Sequence, residues 1–250
     1  MYLAEGLRLA EEAIKSGLTE TLFVHETFGD KPREHNLLES AEGMGITIIR
    51  VQRGVWASIT QTQSPQGVLA VVRKRSYLLE ELELIRHKPT EALNSLNSFA
   101  PLLVLDGLND PGNLGTIIRT AWGAGVQGIL CLKNTADPYD GKCVRASMGG
   151  VFHVPIVTDL SWGQVMAFSL TDGYEAVCAD STADIDYDRF DWPEKTMLCI
   201  GSEADGFKEI PWDKIALRVT IPLAHGAESL NASVACGILL YQMKSAGANK

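Results

Sequence analysis

The sequence predicts an α/β protein of two units. A small N-terminal α/β unit covers residues 1–95. A larger unit covers 96–250 and is built on a mostly parallel sheet with helices on both faces. Three observations predict this. Short aliphatic runs alternate with segments of helical periodicity along the whole chain. A polar stretch with Pro89, Asn94 and Asn97 separates the units, which places the boundary near residue 96. At 250 residues and 46% hydrophobic content, the chain has ample material for a buried core.

The elements follow in order. Leu3, Leu7, Ala10 and Ile14 recur at helical spacing, and Gly17 ends that helix. Thr21–Val24 reads as a strand, His35–Glu42 as a helix and Ile46–Arg50 as a second strand. Gly67–Val72 is a strand after a Ser-Pro turn, and Leu78–Arg86 is a helix. The second unit opens with the strand Leu102–Leu105. A helix follows, with Leu114, Ile117, Ile118, Ala121 and Trp122 on one apolar face. Gly128–Lys133 is a strand, Gly141–Met148 a short helix and Phe152–Val157 a strand. Trp162–Leu170 is helical, and Glu175–Ala179, Met197–Ile200 and Val219–Ile221 are strands. Pro222 stops the last of these. A polar loop with His225, Gly226 and Glu228 then leads through Ser229, Leu230 and Asn231 into a small-residue helix. Ser229 and Asn231 both suit a helix cap.

Composition excludes several classes. No apolar run reaches the ~18 residues of a membrane span. The amphipathic, acidic N-terminus does not read as a signal peptide. Five cysteines, at 131, 143, 178, 199 and 236, never form C-x-x-C. They read as reduced thiols of a cytoplasmic protein, not as a zinc site. The five histidines form no ligand pair, so no metal is expected. The formal net charge is −9, which by itself argues against a nucleic-acid partner. The distribution qualifies that. Eight of the acids fall between Asp172 and Glu194, with Arg189 the only base there. Outside this solvated run the second unit is near neutral, and Arg73-Lys74-Arg75 is the densest basic cluster in the chain.

Gly123-Ala-Gly125-Val-Gln-Gly128 matches the dinucleotide pattern G-x-G-x-x-G, but in the wrong context. It ends a helix and opens a strand, whereas the dinucleotide motif follows a strand and opens a helix. Gly123 and Gly125 read as a helix stop. Asn109–Gly115 does lie after a strand and before a helix, where ligands bind in open α/β sheets. Gly112 and Gly115 there permit close backbone approach. Asn113 reads first as a helix cap and Arg119 as a solvated side chain. Gly201–Gly206 follows Met197–Ile200 in the same topological position, and its plain reading is a tight turn with an exposed Glu203.

Three polar, Gly-containing loops thus follow three strands and can converge on one site. Here a resemblance becomes specific. DGLNDPGNLGTIIRTAWGAGV, LCIGSEADGF and VTIPLAHGAESLNASVACGILLYQ resemble, in order, the three motifs of the SpoU family. These are RNA ribose 2′-O-methyltransferases of the knotted SPOUT superfamily. SMGGVFHVPI resembles the family's stretch between its first two motifs. EGLRLAEEAIKSG and SPQGVLAVV resemble the family's N-terminal RNA substrate-binding domain.

The resemblance implies a small N-terminal RNA-binding domain, a C-terminal SPOUT domain closed by a trefoil knot, and a homodimer with sites at the subunit interface. It implies S-adenosylmethionine as cofactor, held largely through backbone groups at Gly201, Ile221 and Leu230. It implies a polar catalytic cluster of Asn113, Arg119, Glu203, Ser229 and Asn231, and rRNA or tRNA as substrate. Arg73, Lys74 and Arg75 are candidate phosphate contacts, or else a solvated strand end. A different class, a non-catalytic RNA-binding protein retaining the fold, competes with this expectation.

Overall fold

The computed structural model describes residues 1–86, 101–202, 205–211, 213, 215–224 and 229–247. The expected boundary near residue 96, Glu203 and the loop of His225, Gly226 and Glu228 lie outside the described residues.

The first unit is a four-stranded sheet of β1 (Tyr2–Glu5), β2 (Thr19–His25), β3 (Thr47–Val51) and β4 (Val68–Val72), in the order β1-β4-β2-β3. β4 runs antiparallel to β1 and β2, while β2 and β3 are parallel. Helices α1 (Leu7–Lys15), α2 (Pro32–Gly43), α3 (Arg53–Ile59) and α4 (Leu79–Arg86) connect and follow these strands. The expected first helix is split in two. Leu3 lies on β1, because Gly6 at φ 107° breaks the helical phase before Leu7. α3 had no counterpart in the sequence reading, since only Trp56 of its seven residues is buried and no apolar stripe marks it.

The second unit is a six-stranded sheet in which every pair is parallel. Its strands are β5 (Leu102–Asp106), β6 (Gly128–Leu132), β7 (Ile156–Leu160), β8 (Glu175–Ala179), β9 (Thr196–Gly201) and β10 (Leu217–Val219). Their order is β10-β8-β9-β5-β6-β7. The central strands β5, β6 and β9 are continuous apolar runs, as a sheet covered on both faces requires. One face packs α5 (Pro111–Ala124), α6 (Gly141–Ser147) and α8 (Ala232–Gly247). The other packs Leu82 of α4 and Val165 of α7 (Trp162–Asp172). α5 and α6 touch so closely that a Cβ on Gly115 would lie 2.6 Å from the Ala146 methyl carbon. The close approach foreseen at Gly115 is therefore to a neighbouring helix. Gly125, at φ 90°, ends α5 in the left-handed conformation, so the G-x-G-x-x-G match is a helix stop.

Two strands differ from expectation. Phe152–Val157 is a 3-10 turn over Gly150–Phe152, and β7 starts later, at Ile156. The amides of Phe152, His153 and Val154 are spent on the carbonyls of Gly149 and Gly150, so they cannot join a ladder. The last strand is Leu217–Val219, not Val219–Ile221. Thr220 instead donates to Ile185 and accepts from Tyr187, outside the main sheet.

Among the described residues no helix is long and apolar enough to cross a membrane. All five cysteines are buried and free, and burial pushes the Cys131 and Cys236 thiols up to about 12.

The two units share one hydrophobic cluster, which runs from Leu22 and Ala70 through Tyr2 and Tyr139 to Leu103 and Ile117. Tyr2 lies 4.9 Å from the Tyr139 ring and 6.1 Å from that of Phe152. Tyr139 donates its hydroxyl to the Arg75 carbonyl at 3.0 Å. Across the same joint His153 Nε2 meets Glu12 Oε2 at 2.8 Å, and the His153 ring stacks coplanar on Trp122 at 4.2 Å. Trp122 was expected on the buried stripe of α5. It is 39% exposed, held by this stack at the edge of the stripe.

Hydrogen bonds from Lys15 first, and from His153, hold the Glu12 carboxyl below the usual carboxylate range. A depressed folded value contributes stability that is present above the unfolded value and lost as pH falls through the folded one. The Glu12→Gln variant should therefore lose less melting temperature than the wild type between about pH 5 and pH 3. Parallel thermal melts across that range check this, and identical slopes would exclude a role for Glu12.

Candidate active site

The site is built where helices α5 and α8 begin. Asp110 caps α5: its Oδ2 accepts the N–H of Asn113 at 3.0 Å. Lys142 of α6 holds Asp110 Oδ1 at 2.5 Å, and that bond, with the backbone donor, keeps the Asp110 carboxyl below its ordinary range. The cap is thus Asp110 and not Asn113. Asn113 sits in the first turn, and its Oδ1 accepts from Asn231 Nδ2 at 3.1 Å.

Asn231 immediately precedes α8. Its Oδ1 accepts the N–H groups of Ser233 at 3.0 Å and Val234 at 3.3 Å, which fixes the amide so that Nδ2 faces Asn113. One side chain therefore caps its own helix and ties it to the start of another, 118 positions away in sequence. Ser229, the other expected cap, lies two residues earlier and lines a pocket instead.

That pocket has a volume of about 520 Å³ and opens at the carboxyl ends of β8, β9 and β10. Ile200, Val219, Ile221, Leu230 and Leu239 form apolar walls, and Asp180, Ser202, Asp205 and Ser229 supply polar groups. Asp180 is held from below by Arg218 at 3.1 Å and by the Thr182 hydroxyl at 2.8 Å. Gly201 is required at the end of β9. A Cβ there would lie 2.6 Å from the Gly206 carbonyl. The loop doubles back at this point through paired backbone bonds between Ser202 and Gly206, at 2.8 and 3.1 Å. Gly206 takes φ +66° to allow it.

The loop is anchored by a residue that sequence reasoning missed. Asp106, at the end of β5, is fully buried. Its Oδ2 accepts the N–H groups of Lys208 and Glu209 at 2.8 Å and of Ile210 at 3.0 Å. A charged residue closing an otherwise apolar strand was the available signal, but its partners are more than 100 positions away.

The expected cofactor contacts Gly201, Ile221 and Leu230 all line the pocket with Ser229. Asn113 and Asn231 are joined to each other. Arg119 stands apart: it is exposed, does not line the pocket, and makes no hydrogen bond or ion pair among the described residues. It lies six residues along α5 from Asn113, about 9 Å of helical rise. Arg73, Lys74 and Arg75 are exposed but engaged. Arg73 meets Glu20 at 3.2 Å, Lys74 meets Asp137 at 3.8 Å, and Arg75 lies over the Tyr77 ring.

A mostly apolar pocket at the carboxyl ends of parallel strands, with its lining residues Leu230 and Ala232 flanking Asn231 at the start of α8, is where α/β domains bind ligands. The chain belongs to the SpoU family of RNA methyltransferases. The SpoU rRNA Methylase family matches residues 100–241, and the RNA 2′-O ribose methyltransferase substrate-binding family matches residues 3–78. The chain is 31% identical over 244 residues to the 23S rRNA (guanosine(2553)-2′-O)-methyltransferase RlmP of Bacillus subtilis, covering 97% of this chain and 88% of that one. It is also similar to the SpoU methyltransferase AviRb from Streptomyces viridochromogenes in complex with AdoMet. There the TM-score is 0.83 at 28% identity, over 97% of this chain and 89% of that one. An AdoMet-bound rRNA methyltransferase from Sinorhizobium meliloti gives a TM-score of 0.80 at 28% identity, over 98% and 87% of the two chains.

Replacing Asp106 by Ala strands three backbone donors at once. Unfolding free energy in urea should fall by about 2–3 kcal/mol, given roughly 1–3 for each unsatisfied buried group and partial rehydration of the loop. Unchanged stability would remove Asp106 as the anchor.

Proposed function

We propose that the protein is an S-adenosylmethionine-dependent enzyme that methylates a ribose 2′-hydroxyl of ribosomal RNA in the cytoplasm, acting as a homodimer. The observation that carries this is the pocket walled by Gly201, Ile221 and Leu230, with the bonded pair Asn113–Asn231 at the helix starts. In this reading residues 1–95 form the RNA-binding domain. Residues 96–250 form the methyltransferase domain, with the trefoil threading expected of the family.

The residues fit the cofactor. The pocket is of the size that small ligands occupy. Its aliphatic walls suit an adenine ring, and the Ser202 and Ser229 side chains offer polar groups in the same lining. Bound S-adenosylmethionine supplies a methyl group already activated on a sulfonium. The protein's own task is then to orient the ribose hydroxyl in line with that methyl group, the hydroxyl proton passing to solvent water. Asn113 and Asn231 hold the ribose, and Ser229 orients the ligand at the pocket mouth. Arg119 is not a base, since its guanidinium stays protonated. It holds the adjacent phosphate and stabilises the developing alkoxide. Arg73, Lys74 and Arg75 exchange their weak surface contacts for RNA phosphates.

The separation of Arg119 from the pocket supports a two-copy site. α5 and α8 expose Trp122, Val234 at 50% and Tyr241 at 53%, and Trp122 lies three residues along α5 from Arg119, on the same face of that helix. In this reading the two copies pack through such exposed apolar residues, and Arg119 of one copy serves the pocket of the other.

Arg119→Ala should reduce single-turnover methyl transfer to 23S rRNA by ~10²–10³. Melting temperature and affinity for S-adenosylhomocysteine should stay unchanged. Arg119→Lys should not restore the rate, because an ammonium lacks the planar fork. Near-normal transfer by Arg119→Ala would defeat the assigned role. Labelled methyl absent from RNA incubated with the wild type would point to a non-catalytic RNA-binding protein.

Dimer formation has its own test. Mixing Arg119→Ala with Gly201→Ala protein, after dissociation and reassociation, should restore activity that neither variant has alone, because mixed dimers hold one intact site. No restoration, or a monomer by light scattering at micromolar concentration, would overturn the shared site.

A further inference from the structure

The cleft between the two units contains a second, smaller cavity of about 240 Å³. It is lined by Arg8 and Leu9 of α1, Glu5 and Gly6 before them, Thr62 and Ser64 of the loop ahead of β4, and Arg145 of α6. Two arginines thus converge on one cavity from opposite units. Arg8 is exposed and makes no hydrogen bond or ion pair among the described residues. Arg145 is half-buried, and among the described residues its side chain bonds only from Nη1 to the neutral Gln61 Oε1 at 3.0 Å. Other exposed bases, such as Lys15, Arg33 and Arg73, do meet an acidic partner.

Glu5 is the one carboxylate in the lining, and it is turned into the floor. It is buried, and its oxygens accept from the Thr62 hydroxyl and from the Gln61 N–H at 2.9 Å. Those bonds hold the loop that carries Ser64 against α1. A further contact, Leu7 N–H to Gln66 Oε1 at 2.9 Å, fastens the other end of that loop. The cavity is therefore walled by fixed elements, with two guanidinium groups left to face its contents.

α6 places this cavity relative to the active site. Lys142 of α6 lies against the start of α5, where its Nζ meets Asp110. Arg145 is one turn further along α6, about 4.5 Å of rise, and meets the first unit. The cavity and the Asn113 helix start are thus joined by a single turn of one short helix.

We infer that Arg8 and Arg145 clamp a backbone phosphate of the RNA substrate in the cleft between the units, next to the nucleotide presented for methylation. The inference rests on the RNA methyltransferase reading and adds to it a named phosphate subsite. Planar guanidinium forks match phosphate oxygens bidentately, and the Ser64 side chain adds a hydroxyl at the same mouth. A phosphate contact of this kind positions the strand without reading its sequence.

Salt-dependent binding tests it. Affinity of the full chain for protein-free 23S rRNA is measured against NaCl concentration for the wild type, Arg8→Ala, Arg145→Gln and the control Arg189→Ala. Each clamp variant should weaken binding and reduce the log–log salt slope by about 0.7–0.9, the increment of one lost phosphate contact. Affinity for S-adenosylhomocysteine should not change, and Arg189→Ala should match the wild type. Arg145→Gln keeps a polar side chain beside Gln61, and Arg8 is exposed, so Arg8→Ala decides the matter should the other variant lose stability. Wild-type binding with an unaltered slope in Arg8→Ala overturns the clamp alone. Failure of the wild type to bind rRNA at all overturns the RNA reading instead. Tight binding of inorganic phosphate that Arg8→Ala abolishes, with no change in RNA affinity, would assign the cavity to a free anion and also overturn the clamp.

Discussion

One buried carboxylate holds the ligand pocket in shape. Asp106 closes the central strand β5, and a single oxygen of it gathers three consecutive backbone donors from the segment after β9. Parallel strands end together at one edge, and the loops leaving them have no ladder to bond with. Without an acceptor such as Asp106, the loop from Gly201 onward has no fixed position over the sheet. With it, the loop folds back on Gly201 closely enough to exclude any side chain there. The pocket walls at Ile200, Ser202 and Phe207 follow from that arrangement.

A second constraint acts at the helix starts. Each helix begins with donors that lack partners inside the helix. α5 satisfies one of its own with Asp110, and α8 satisfies its own with Asn231, whose Nδ2 also donates to Asn113. Capping and site assembly are thus one set of hydrogen bonds. The charge balance follows the same economy. The protein is acidic overall, and eight of its 31 acids fall in the one run between Asp172 and Glu194.

Much of this was readable from the residues. The apolar runs of β5, β6 and β9 and the stripe from Leu114 to Ala121 place sheet and helix directly, because burial on two faces or one leaves a periodic trace. The loops of the pocket were readable as Gly-containing polar segments after strands. What was not readable depends on partners remote in sequence. Asp106 looks like any turn residue until its amides arrive from beyond residue 207. Trp122 fits a buried stripe until His153 offers its ring. Leu3 continues a helical spacing that Gly6 breaks, and Ile156 starts its strand late because turn bonds consume the amides before it. Asn113 and Asn231 were recognisable as polar residues at helix starts, but not as bonded to each other.

The joint between the two units has a geometric consequence. Tyr2 packs into Tyr139 and Phe152, Glu12 reaches His153, and one apolar cluster runs through both sheets. Such a seam resists swivelling, because rotation would open a dry, close-packed contact to water. The span from the cleft to the pocket is then a set length, not a variable one. On the proposed reading, an RNA strand held in the cleft and methylated at the pocket would be measured off as against a ruler, the nucleotide reached being decided by distance along the chain as much as by the identity of its base.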